Sequence, residues 1–120
     1  MALPHNEVVA MLVDELKKGT TPLLVLALLE VQPRHGYELS KLLDAQSRGV
    51  VHIHAASLYP LLYRLERDGW IEGRWVEKPG QRRRRYYHIT AEGKRQLRAQ
   101  RREWADFVRA VGQLAGVEYA

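Results

Sequence analysis

The chain has 120 residues, 46 % apolar and 28 % charged, with a net charge of +5 and no cysteine. That length suits a single domain, 1–120, with a small core and little burial as a monomer, and the composition is that of a globular protein, not a disordered one. The lack of cysteine excludes a disulfide framework, a thiolate metal site and a Cys nucleophile.

The opening residues, Met1 to Glu7, have no basic stretch leading into an apolar one, so no signal peptide is expected. The longest apolar run, Leu23 to Leu29, is too short to cross a bilayer. A cytoplasmic location is the simplest expectation. Charge is unevenly placed: residues 82–109 hold ten Lys/Arg against three Asp/Glu, while the rest of the chain holds nine against eleven. Basicity gathered in one contiguous stretch is the footprint of a phosphate-facing surface. The four consecutive arginines Arg82 to Arg85 repel one another unless an anion is near, which argues against an ordinary solvated face.

In chain order, Val8, Val9, Met11, Leu12, Val13 and Leu16 recur at helical spacing from Asn6 to Lys18, and Gly19 closes the pattern. Thr21-Pro22 reads as a new start, Thr as N-cap and Pro at the first helical position. The helix from Leu23 to about Val31 is apolar on every side and belongs at the centre of the fold. Gln32 to Gly36 breaks the chain, and a short helix from Tyr37 to about Ala45 turns Leu39, Leu42 and Leu43 inward. After the turn Ser47-Arg48-Gly49, Val50 to Ile53 is expected to form a short strand. The next helix carries Leu58, Leu61, Leu62 and Leu65 on one face, with Tyr59, Tyr63, Arg64 and Arg67 around the others. Gly69 suits the left-handed position that ends it.

A hairpin follows, with strands at Gly73–Val76 and Arg84–Ile89 around the turn Lys78-Pro79-Gly80-Gln81. Ile71, Gly73 and Trp75 share one face of the outgoing strand, and Tyr87 and Ile89 share one face of the returning strand, opposite to Arg84, Tyr86 and His88. Alternation also gives Arg83 and Arg85 a different facing from Arg82 and Arg84. Thr90 is the natural N-cap of the last helix, with Glu92 favourably placed in its first turn. That helix has a heptad seam of Leu97, Trp104 and Val111 alternating with Gln100, Phe107 and Leu114. Two full repeats predict packing against another helix, with the first and last helices of two copies interleaved. Val8, Leu12, Leu97, Trp104, Phe107, Val111 and Leu114 are the candidate dimer residues.

The words His35-Gly-Tyr-Glu-Leu39, Ser57-Leu-Tyr-Pro-Leu-Leu-Tyr-Arg-Leu-Glu66, Gly69-Trp-Ile71 and Arg85-Tyr-Tyr-His-Ile-Thr-Ala-Glu-Gly93 stand in order and in register. Over roughly residues 20–95 the chain resembles the PadR family of bacterial transcriptional regulators, and its single C-terminal helix is similar to the small subfamily. The resemblance implies a mainly α winged helix-turn-helix with a small β-hairpin, residues 20–90 forming the DNA-binding core and 1–19 and 91–120 the dimerisation helices. It further implies a homodimer, usually a repressor, often released from DNA by a small aromatic or cationic compound. Family members often open the recognition helix with Ser-Pro or a similar pair, where this chain has His54-Ala55. Either His54 or Ser57 can serve as its cap, and with Ser57 as cap Pro60 falls in the first turn, where it breaks no hydrogen bond.

The second helix of a helix-turn-helix presents its early residues to base edges in the major groove. That nominates His54, Ala56, Ser57, Tyr59, Tyr63 and Arg64. Arg64 is the best reader, since its planar fork matches O6 and N7 of guanine. Tyr59 is divided between packing on the neighbouring helix and reaching a phosphate. Arg82, Arg83, Arg84 and Arg85 reach flanking phosphates or an adjacent minor groove, while Tyr87 reads as core. Trp104 either packs at the seam or, paired across a dimer axis, sandwiches a planar ligand in a cavity lined by Phe107, Val108, Met11 and Leu12.

No catalytic motif is present, so an enzyme is not expected, nor any cofactor. Glu66 and Asp68 read as ordinary surface charges. Two rival readings are a winged-helix module that binds protein, and a metal-responsive sensor using His52 and His54 on one strand face, for which no third ligand is spaced nearby.

Overall fold

The structure is a computed structural model that describes residues 5–117. The side chains of Val8 and Leu12, expected at the dimer seam, lie outside the described residues. Four helices and three strands follow one another as α1 (His5–Val31), β1 (Arg34–His35), α2 (Gly36–Gln46), α3 (Ala55–Arg67), β2 (Ile71–Val76), β3 (Arg84–Ile89) and α4 (Ala91–Ala115).

Two helices were expected before Val31, and one is found. α1 runs without interruption through Gly19, Thr21 and Pro22. A helical Gly costs about 1 kcal/mol and a Pro about 3 relative to Ala, so local preference favours a break. The helix nonetheless continues where α4 packs alongside it, with Trp104 and Phe107 of α4 lining a groove with Leu16, Gly19, Thr20 and Leu23 at the site of the expected break. The Thr20 hydroxyl donates to the Leu16 carbonyl at 2.9 Å, one turn back.

The core is built from Val25, Leu26, Leu28 and Leu29 of α1, Leu39 and Leu43 of α2, the four leucines of α3, and Ile71, Tyr87 and Leu97. The all-round apolar stretch of α1 is thus central, as its pattern implied. Arg34 is also buried. Its Nε donates to the Leu28 carbonyl at 3.0 Å, meeting an acceptor that the end of α1 leaves open, and Nη1 donates to Glu38 at 3.4 Å.

Arg34-His35, read as part of a break, is a strand. The sheet order is β1-β3-β2, all antiparallel, with Arg34 opposite Tyr87 and Gly73 opposite Tyr87 on the other side. Conversely, the strand expected at Val50–Ile53 does not form. Val51 and Ile53 do pack against the core, but side chains satisfy the backbone there. The Val51 N–H donates to the Ser47 hydroxyl at 2.8 Å, and the Ser40 hydroxyl donates to the Ile53 carbonyl.

α3 closes where Gly69 stands at φ +80°. The Gly69 N–H reaches the Glu66 carbonyl at 3.1 Å and the Trp70 N–H reaches Leu65 at 2.9 Å, the paired bonds of a Schellman motif. Thr90 then caps α4, accepting from the Gly93 N–H at 3.0 Å, while its own hydroxyl donates to the Gly69 carbonyl at 2.6 Å. One threonine therefore ties the end of α3 to the start of α4.

α4 projects from this body. Leu97 is fully buried in the protomer's own core and is not free for a partner, which corrects its assignment to the seam. Further along, Trp104, Phe107 and Val111 are exposed, and Leu114 is 90 % exposed. The radius of gyration is 16.6 Å, against about 14 Å for a compact chain of this length. Arg101 pairs with Glu30 at 3.0 Å, bracing α4 against the end of α1.

Candidate nucleic-acid interface

α3 begins at Ala55, with His54 in the cap position at φ −64°, ψ 145°. The imidazole makes no capping hydrogen bond; the His54 carbonyl instead accepts from the Ser57 and Leu58 N–H groups. Ser57 is therefore helical and not the cap. Pro60 falls in the second turn, where it has no N–H to give the preceding turn. His54, Ala56, Ser57, Tyr63 and Arg64 are all exposed. Among the described residues, Arg64 has no ion-pair partner, so its fork is free.

Tyr59 is half exposed, and its ring lies on the backbone of Gly36. A Cβ built there would stand 2.9 Å from the ring, so the first residue of α2 has to be bare for the two helices to meet this closely. Both readings of Tyr59 keep support: one side of the ring packs while the other stays open.

The four arginines of the wing have different surroundings. Arg82 has no ion-pair partner among the described residues. Arg83 lies over the Trp75 ring at 4.5 Å and 3.7 Å from Glu77. Arg84, on the opposite side, brings Nη1 within 3.2 Å of His35 Nε2. Arg85 donates to Glu66 Oε2 at 2.6 Å, with its guanidinium 5.5 Å from the Trp75 ring centre. Within β3 the register sets Arg85 opposite Trp75 and turns Arg84 the other way, the expected alternation, whereas Arg82 and Arg83 precede the strand, and all four line one cleft. Arg85, however, already holds a carboxylate, and Glu66 is not the idle surface charge expected of it.

Tyr37, Tyr59, Trp75 and Arg82 to Arg85 line one cleft of about 650 Å³ together with His35, Gly36 and Tyr87. Tyr87 is buried, and that burial pushes its phenol pKa up even though Arg85 pulls the other way. His35 is pushed down, first by burial and then by the Arg84 charge. Its Nδ1 accepts the Glu38 N–H at 3.1 Å, which makes it the side-chain cap of α2. Sequence reasoning gave neither His35 nor Glu66 a role; the His35-Gly36 pair before an amphipathic run was the available signal for the cap.

His52 and His54 do not lie on a strand face. Their rings meet edge-on at 4.9 Å, and His52 Nδ1 is 3.2 Å from Asp44. Among the described residues no three His, Cys, Asp or Glu side chains gather as metal ligands, and no helix is long and apolar enough to cross a membrane.

Helices α1 to α3 packed around one core, with an antiparallel hairpin seated against the end of the third, define a winged helix-turn-helix protein. Residues 25–99 match the model of the PadR-like family of transcriptional regulators, and the chain belongs to that family. It is similar to a PadR family transcriptional regulator from Eggerthella lenta DSM 2243, with TM-score 0.83 at 36 % identity over 98 % of this chain and 100 % of that one. A PadR-like transcriptional regulator from Bacillus cereus strain ATCC 14579 gives TM-score 0.75 at 31 % identity over 87 % of this chain and 99 % of the other. An uncharacterised protein of Lysinibacillus sphaericus is 30 % identical over 93 residues, which are 78 % of this chain and 85 % of that protein.

Proposed function

We propose that the chain is a sequence-specific DNA-binding repressor that grips an inverted-repeat operator as a homodimer. The observation that carries this reading is the cleft in which the start of α2, Tyr59 of α3 and the whole arginine run face one volume. An aromatic-lined, cationic cleft beside an exposed helix face suits a sugar-phosphate backbone next to a groove. The division of labour follows from surroundings. Arg64 reads a base; Arg82, Arg83 and Arg84 supply affinity through phosphates. The repressor sense rests on the habit of the family.

Dimerisation is supported by the exposed stripe Trp104, Phe107, Val111 and Leu114, too apolar to be left in water along a projecting helix. Release by a ligand is supported by a groove of about 520 Å³ between α1 and α4, where Trp104 and Phe107 stand beside Glu15 and Glu103. Aromatic walls with two carboxylates suit a planar cation. Met11 and the half-buried Val108 lie on the same two helices.

Binding titrations on an operator and on a random duplex test the assignment. Arg64→Ala removes one bidentate base contact, worth about 1–3 kcal/mol of discrimination, and leaves random-duplex affinity nearly intact. Arg83→Ala weakens both duplexes and lowers the salt slope by about one contact. Equal losses on both duplexes for Arg64→Ala would refute the base-reading role.

A further inference from the structure

Glu66 closes the last turn of α3, and its Oε2 is shared by two donors from the wing. The Gly73 N–H of β2 reaches it at 3.1 Å and Arg85 Nη2 of β3 at 2.6 Å. Both charged side chains are 30 % exposed, less open to water than an ordinary surface pair. The contact needs a bare backbone in its path. A Cβ on Gly73 would stand 2.4 Å from Arg85 Nε, so the guanidinium crosses β2 at the strand's one residue without a side chain. Trp75, opposite Arg85 in the register, carries that guanidinium and the one of Arg83 against its ring.

Two strands of the wing are thus held by one oxygen of the recognition helix. From this we infer that Glu66 is a positioning residue: through Gly73 and Arg85 it fixes the wing against α3, so that the base-reading helix and the phosphate-gripping wing meet the duplex in one relative pose. Arg85 serves this latch, and Arg82, Arg83 and Arg84 do the anchoring. The inference rests on the DNA-binding reading above, and it makes a prediction opposite in sign to simple charge counting. Removing a carboxylate from a DNA-facing surface raises affinity if the carboxylate only repels phosphates. Removing a latch lowers affinity for the operator, because each pose must then be found anew on binding.

The test uses the full chain, a duplex selected by the wild type, and a random duplex of equal length. Glu66→Gln, Arg85→Gln and the double variant are titrated across salt concentrations, with thermal unfolding recorded for each. The latch predicts that each single variant weakens operator binding by about tenfold or more, and that the double variant loses no more than either single one. It also predicts that Glu66→Gln holds or gains affinity for random duplex, and that Arg85→Gln keeps the wild-type salt slope. If Arg85→Gln does not fold, Arg85→Lys, which keeps the charge but not the fork, must show the same operator loss at unchanged slope. A slope lowered by about 0.9 in Arg85→Gln would put Arg85 on a phosphate and overturn the inference. So would operator binding by Glu66→Gln as tight as wild type. A wild type that selects no duplex overturns the DNA-binding reading itself, and is seen before any variant is made.

Discussion

His35 holds α2 with one ring nitrogen while an arginine sits against the ring. Nδ1 can accept the Glu38 N–H only while that nitrogen is unprotonated, and a second cation beside Arg84 is unfavourable. Glu38 pulls in the other direction, but burial, Arg84 and Lys78 all lower the pKa. A group whose folded pKa is depressed contributes stability that is present above its unfolded value, about 6.5, and lost as pH falls through the folded value. The thermal midpoint is therefore expected to fall as the solution is acidified below about pH 6.5. His35→Asn, which keeps an acceptor that does not titrate in this range, should flatten that part of the profile. An unchanged acid limb in His35→Asn would show that the cap is not what titrates.

Among elements, the junction of α3, β2 and α4 is the most tightly specified. A Cβ on Gly93 would stand 2.1 Å from the Trp70 carbonyl oxygen, a main-chain atom that cannot move aside. Ala is the better helix former by about 1 kcal/mol, yet Gly93→Ala should lower stability by about 2 kcal/mol or more, because α4 must lift from its seat. Urea unfolding gives the answer, and a variant as stable as wild type would contradict the close approach. This part of the fold was legible, since its signals are local: the leucine face of α3, Gly69 as its stop, and Thr90 as the cap of α4. What was not legible depends on distant partners. The continuity of α1 through Pro22 comes from α4 lying alongside, and β1 exists because β3, some fifty residues on, offers it an edge. The start of α3 stayed open between His54 and Ser57 because His54 stands in the cap position without a side-chain hydrogen bond, which leaves no capping signature to read. The candidate site divides in the same way. Arg64 and the wing arginines can be named from sequence, whereas the pairing of Arg85 with Glu66 takes a fold to bring together.

At the scale of the whole molecule, α4 gives the protomer its extended shape and its exposed apolar stripe. Leu114 makes little contact within the protomer, so Leu114→Asp should leave the fold intact while costing the dimer a buried leucine and adding a like-charge pair across its axis. Sedimentation is expected to give a dimer for wild type and a monomer for the variant at micromolar concentration. Equal mass for both would move the interface elsewhere. In the proposed dimer the interface sets the distance between two reading heads, about 34 Å for successive major grooves. Selection of bound duplexes from a random pool tests binding, specificity and that spacing together. Enrichment of an inverted repeat whose half-sites lie about 10–10.5 base pairs apart, or a multiple of it, is expected. A pool that emerges unenriched, or enriched only in a lone half-site, would contradict it.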